Sequence, residues 1–261
     1  MKLGMQNDPI TPNRLLKDVT FAERNNFEYF EIVTESLFYS PTNFSKSLIE
    51  KLKKFDINYN IHASNTIFIH LAAMDEYIKE ATEKLIEDNI ELGRKLDVGL
   101  INLHYYSGYF FPKVNKEFRD FIDSNRDKML DKFVEESRKY GIKFTIENTR
   151  GETLQEIQRV LNKHRNLMLT FDIQHAYTGN DITNILNFIE RFSRRIINVH
   201  LVDGKKNSGE HMVLGEGDVP VIRILKCLRK LYDGPYILEM QTRKDILKSL
   251  KFLKERKFLH F

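Results

Sequence analysis

Six ionisable residues stand at or next to the ends of short apolar runs: His62 in NYNIHA, His104 in GLINLHY, Glu147 in KFTIEN, Asp172 in LMLTFDI, His200 in IINVHLV and Glu239 in YILEM. A carboxylate at the edge of such a run is costly to bury unless it is paired or coordinated. Glu147, Asp172, His200 and Glu239 together make a hard, anionic, oxygen-rich pocket suited to manganese, magnesium, cobalt or zinc. His62 and His104 extend that pocket toward a second, zinc-friendly ion beside Glu147. His175, three residues after Asp172 in FDIQHAY, and His211, in the loop VHLVDGKKNSGEHMVLGEGD, offer ligands for a third. One divalent ion is expected, with three as the upper bound. A buried ion pair or a hydrogen-bonded structural histidine would explain any one of these residues alone. Six successive strand ends that each deliver a ligand type favour metal. His70, His164 and His260 lie off this set and read as structural or surface residues.

For these residues to converge, the runs that carry them must be neighbouring strands in register. Two further runs, KLGMQ and YFEIV, precede them, so eight apolar segments alternate with longer, charged, helically periodic ones. Parallel strands covered on both faces read as near-continuous apolar runs, as these do. The economical arrangement is a closed (β/α)8 TIM barrel formed as one domain by residues 1–261, with a doubly wound open sheet as the alternative. All six prolines, Pro9, Pro12, Pro41, Pro112, Pro220 and Pro235, are expected outside the strands. Barrel chemistry gathers where the strands end, which is where the six residues fall.

With 41 basic and 37 acidic residues the net charge is +4, and the two signs interleave, which gives no strong field for nucleic acid. The basic run RFSRR, Arg191 to Arg195, precedes the seventh strand and belongs at the opposite end of the barrel. Arg150, Lys205, Lys206 and Arg243 are expected near the mouth, enough for one phosphate or carboxylate but not for a duplex. The loop YYSGYFFPKV supplies Tyr105, Tyr106, Tyr109, Phe110 and Phe111, which would either wall a substrate or pack as a lid. Cys227 cannot form an internal disulfide and reads as core. The N-terminus lacks the apolar run of a signal peptide and no membrane-length span occurs, so a cytoplasmic protein is expected, with an oligomer allowed.

In order along the chain, IHAS, LHYYSG, IENTRG, FDIQHAY, VHLVDGK, EHMVLGEGDVP and ILEMQT resemble the motifs of the xylose-isomerase-like TIM barrels (AP endonuclease family 2). That superfamily contains endonuclease IV and many sugar isomerases and epimerases, and the likeness spans most of the chain. The resemblance implies that Glu147, Asp172, His200 and Glu239 hold the metal shared by the sugar-acting branch, with two glutamates as acid and base. In the endonuclease IV branch the same positions join His62, His104, His175 and His211 around three zinc ions. The chain departs from that branch at Gly209, where the branch has an aspartate, and at Asn65 and Thr66, where it has a bulky pair that enters the DNA stack.

The leading expectation is a divalent-metal-dependent isomerase or epimerase of a sugar, sugar phosphate or related carbonyl compound, acting through a metal-stabilised enediolate. Glu147 and Glu239 are the expected proton carriers. His175 would orient a substrate hydroxyl, Lys205 or Arg243 (with Arg150) would hold a terminal phosphate, and Tyr105 and Tyr109 would wall the site. The alternatives are a zinc-dependent phosphodiester hydrolase acting at abasic DNA sites and a non-catalytic metal- or ligand-binding barrel.

Overall fold

In the computed structural model, eight strands run as β1 (Lys2–Gln6), β2 (Tyr29–Val33), β3 (Asn58–His62), β4 (Leu100–His104), β5 (Lys143–Glu147), β6 (Met168–Asp172), β7 (Ile196–Leu201) and β8 (Pro235–Leu238). The structure describes residues 1–105, 115–149, 153–206, 210–240 and 242–259, and within them all side chains but those of Ser36, Leu37, Phe68 and Ile69. The strands pair parallel in chain order, and β8 returns to β1 from Lys2↔Pro235 to Met5↔Leu238, which closes a (β/α)8 barrel. Among the described residues no helix is long and apolar enough to cross a membrane.

Side chains alternate across each strand, so the runs divide into two sets. Ile101, Leu103, Phe144, Ile146, Leu169, Phe171, Val199 and Leu201 face outward and are fully buried under the helices. Those helices present apolar stripes at helical spacing: Leu154, Ile157, Val160 and Leu161 (i, i+3, i+6, i+7) in the helix Leu154–Lys163, and Ile185, Phe188, Ile189 and Phe192 (i, i+3, i+4, i+7) in Ile182–Phe192. Phe171 of β6 stacks on Phe188 at 5.9 Å, and each such burial is worth roughly 1.5–3 kcal/mol. Cys227 lies half-buried against this layer, in the helix Val221–Leu231.

The inward set is polar: Glu31, Asn102, Thr145 and Asn198 lie one level below the ends of their strands, with Thr170 beside them. This polar layer forms the floor of the site. Pro235 departs from the sequence expectation. It is the first residue of β8, a position where a missing N–H costs no ladder bond.

Helix starts near the rim are capped by side chains. Thr153 and Glu156 form a capping box, and Asp172 accepts from the His175 N–H at 2.6 Å to begin the short helix Ile173–Tyr177.

Candidate metal centre

At the C-terminal ends of β5, β6 and β7 and just beyond β8, Glu147, Asp172, His200 and Glu239 each bring one ligand atom to within 4.8 Å of the others. Local structure leaves those atoms free. Asp172 spends Oδ1 on its helix cap while its backbone is clamped by Asn148, which accepts from Asp172 N at 3.0 Å and donates to Asp172 O at 2.9 Å. Asn102 donates to Glu147 Oε2 at 2.5 Å. His200 turns Nε2 toward Glu31 at 2.9 Å. What remains is Glu147 Oε1, Asp172 Oδ2, His200 Nδ1 and Glu239 Oε2, four buried atoms with no hydrogen-bond partner. His200 Nδ1 lies 3.2 Å from Glu147 Oε1 and 3.3 Å from Glu239 Oε2, close but without hydrogen-bond alignment. Buried polar atoms are rarely left unsatisfied, and three carboxylate oxygens around one imidazole nitrogen are a donor set for a divalent cation. The residues fit a metal ion on this ground.

A second cluster shares Glu147. His62 Nε2 lies 3.3 Å and His104 Nε2 3.5 Å from Glu147 Oε2, and the two rings meet edge to face at 4.7 Å. His175 and His211 face each other at 6.2 Å across the mouth, with His175 Nδ1 buried and unpartnered. Beside Glu239 a recess of about 430 Å3 opens, lined by Gln6, Asn7, Asp8, Arg14, His211 and Met240 among others.

The electrostatics follow from burial and charge together. Burial works to raise the Glu147 carboxyl, but the charges of His200 and His104 and the close imidazoles of His200 and His62, at 3.2 and 3.3 Å, hold it well below the usual carboxylate range. Glu239 is likewise raised by burial and brought down to about 2 by His200. Asp172, where burial dominates, is pushed up to about 6. Burial lowers His104 to about 4, whereas in His62 it is outweighed by Glu147, which lifts the imidazole to about 9. His200 is opposed by burial yet held well above the ordinary imidazole value by Glu147, Glu31 and Glu239. In the ion-free protein the His200 imidazolium therefore balances the carboxylates around it.

Other expected site residues fall elsewhere. Tyr105 is 2% exposed, and its ring lies under the Arg126 guanidinium at 5.1 Å, in the helical layer and not at the mouth. The reason is strand alternation: His104 points inward, so its neighbour points out. Arg243 donates to Asp18 through Nη2 at 2.9 Å and Nε at 3.1 Å and covers Phe21, so it clasps the last helix to the first. Lys205 pairs with Asp218 at 3.1 Å, and Lys206 lies over Tyr177 at 5.2 Å. Arg195 hydrogen-bonds the carbonyls of Leu161, His164 and Leu167 at the end where the strands begin. Arg150, Tyr106, Tyr109, Phe110, Phe111, Gly209 and His260 lie outside the described residues. His164 bridges Asp131 at 2.6 Å and Asp127 at 3.1 Å, ahead of β6 at the end where the strands begin.

Two further buried carboxylates hold groups around the cluster. Glu31 is fully buried in the middle of β2 and receives Gln6, Asn198 and His200; its signal was a lone carboxylate inside YFEIV. Asp203, also fully buried, accepts the N–H groups of Gly204, Gly215 and Val219 and so shapes the loop that carries His211.

Residues 19–256 match the family model described as xylose isomerase-like TIM barrel. The protein MJ1311 of Methanocaldococcus jannaschii is 31% identical over 266 residues, covering 98% of this chain and 89% of its own. A D-tagatose 3-epimerase-like protein superposes with a TM-score of 0.82 at 28% identity, over 99% of this chain and 97% of that one. An IolI protein with a bound zinc atom superposes at 0.79 with 16% identity, over the full length of both chains.

Proposed function

This chain belongs to the xylose isomerase-like TIM barrel family, and on that premise we propose that it is a divalent-metal-dependent isomerase or epimerase of a sugar or sugar phosphate. The observation that carries the reading is the convergence of four unpartnered buried ligand atoms beside a recess of monosaccharide scale. Likeness to the D-tagatose 3-epimerase-like protein supports the epimerase direction.

A divalent cation held by Glu147, Asp172, His200 and Glu239 would offset the negative charge that builds when a proton leaves the carbon next to a substrate carbonyl. The remaining work falls to the protein. Glu239, partly open to the recess, meets the substrate as an ionised carboxylate placed to accept that proton. Glu147, also ionised and wholly buried, is the second carboxylate of the exchange. His175 and His211, facing each other across the mouth, are placed to orient hydroxyls. The test is incorporation of solvent deuterium at substrate carbon by metal-loaded protein, across a panel of ketoses, aldoses and their phosphates. Exchange that is lost in Glu239→Gln is expected. No exchange with any member of the panel would end the proton-transfer reading.

The His62, His104 and Glu147 cluster favours one other reading, a two-ion site that activates water for phosphodiester cleavage at abasic DNA. Clean incision of an abasic duplex, abolished by Glu147→Ala, would put this reading first.

A further inference from the structure

Beneath the converging ligands the floor residues form one directed hydrogen-bond chain. Asn198 Nδ2 donates to Glu31 Oε2 at 2.9 Å and, at 3.4 Å, to Thr170 Oγ1. Thr170 meets Thr145 at 2.9 Å, Thr145 donates to Asn102 Oδ1 at 3.0 Å, and Asn102 donates to Glu147. Glu31 then closes the circuit through His200, whose Nδ1 faces Glu147. Glu31 has no lysine or arginine beside it among the hydrogen bonds and ion pairs described for it. Three donors converge on its two oxygens instead: Gln6 Nε2 at 2.8 Å and His200 Nε2 at 2.9 Å on Oε1, and Asn198 Nδ2 on Oε2. An acceptor-only group is the one side chain that satisfies all three, because an amide here would set an N–H against a donor.

We propose that Glu31 is the positioning residue of the metal centre: its carboxylate takes the Nε2–H of His200 and holds the imidazole in the tautomer and rotation that aim Nδ1 at Glu147, Asp172 and Glu239. This rests on the reading of that cluster as a metal site. It follows from geometry, since the two ring nitrogens are distinct and the hydrogen bond made by one decides which is left for a ligand. Glu31 touches no substrate-facing surface, being fully buried one level below the ligands, so it acts through the groups it holds, of which His200 is the one that belongs to the four-residue cluster. The central position in β2 serves this purpose: a carboxylate two residues nearer the mouth, at Val33, would enter the site itself instead of supporting it from below.

The experiment titrates full-length wild type, Glu31→Gln and Glu31→Asp with Co2+ and with Zn2+, and records the cobalt absorption spectrum and the metal-free melting temperature of each. Glu31→Gln is expected to weaken both affinities by about 10–100-fold and to alter the cobalt spectrum; its metal-free melting temperature falls as well, because the amide sets an N–H against one of the three donors, so affinities are compared at a temperature where every variant is folded. Glu31→Asp, which keeps the charge but falls one methylene short, is expected to recover part of the affinity. In zinc-loaded wild type, nitrogen-resolved NMR should find His200 protonated on Nε2. The positioning role is overturned if Glu31→Gln binds both ions within twofold of wild type with an unchanged cobalt spectrum, or if the NMR places the proton on Nδ1. Should Glu31→Gln not fold, Glu31→Asp and the wild-type NMR decide alone. A wild-type protein that binds neither ion would instead remove the metal reading itself, and the positioning role with it.

Discussion

Replacing Asp203 by Asn changes only one oxygen for an NH2, yet the loop geometry makes the change expensive. Oδ1 accepts from Gly204 N at 2.8 Å and Val219 N at 3.1 Å, and Oδ2 accepts from Gly215 N at 2.8 Å. The same residue is joined to Met212 by backbone bonds in both directions, at 3.2 and 2.8 Å, so one side chain gathers both arms of the loop that carries His211. An asparagine keeps a single acceptor. Placed where two donors converge, it leaves its NH2 facing the Gly215 N–H. The loss is one bond to a charged acceptor, about 1.5–3 kcal/mol, and a buried donor left opposite another donor, so about 2–4 kcal/mol in all, since the two costs overlap. For a chain of this size that corresponds to a fall in melting temperature of roughly 4–7 °C. Urea denaturation and thermal melts measure it directly. Limited proteolysis of the loop then tells global loss from local opening, which would cap the global figure and swing His211 from the mouth. A variant within about 0.5 kcal/mol of wild type with unchanged loop protection would refute the assignment of Asp203 as organiser. Gly217→Ala should mimic it, because a Cβ there would collide with the Asp203 carboxylate and the Gly204 N–H.

Metal affinity measured by competition titration should fall as pH drops from about 8 to 5: His200 is held protonated and Asp172 titrates near 6, and an ion must displace those protons. The stability that His164 gains from Asp127 and Asp131 should be complete below the unfolded imidazole value of about 6.5 and fade as pH rises through the elevated folded value. Asp127 is raised by burial but lowered further by His164 and Lys163, so its own share is present above the unfolded carboxyl value of about 3.9 and is lost as pH falls. Denaturation of His164→Asn should therefore show a larger deficit against wild type at pH 6 than at pH 9. Tyr105→Phe should leave KM for any substrate unchanged, because the ring faces Arg126 and not the mouth; a KM shift of tenfold would return Tyr105 to the site.

The barrel was legible because its signal is local. Each strand is an apolar run of a few residues, and eight of them alternating with amphipathic helices narrow the fold to a closed barrel or a doubly wound open sheet, between which the pairing of β8 with β1 decides. The convergence of Glu147, Asp172, His200 and Glu239 was legible for a related reason: a carboxylate or imidazole at the end of such a run has no cheap explanation except a partner at the rim. Glu31 shows where that logic stops. It lies in the middle of its run, where strand periodicity points it at the floor, and its partners His200 and Asn198 are 169 and 167 residues away. Nothing near it in the sequence announces them. The same separation hid the fate of Arg243, whose acceptor Asp18 lies 225 residues earlier and reaches it only because β8 returns to β1. Tyr105 could have been read correctly, since one application of the two-residue period, anchored on an inward His104, sends it outward. What a linear reading recovers is therefore the set of side chains whose environment follows from their own strand. The groups that orient those side chains, Glu31 below and Asp203 beside, are supplied across the barrel, and their roles follow once closure brings the strands together.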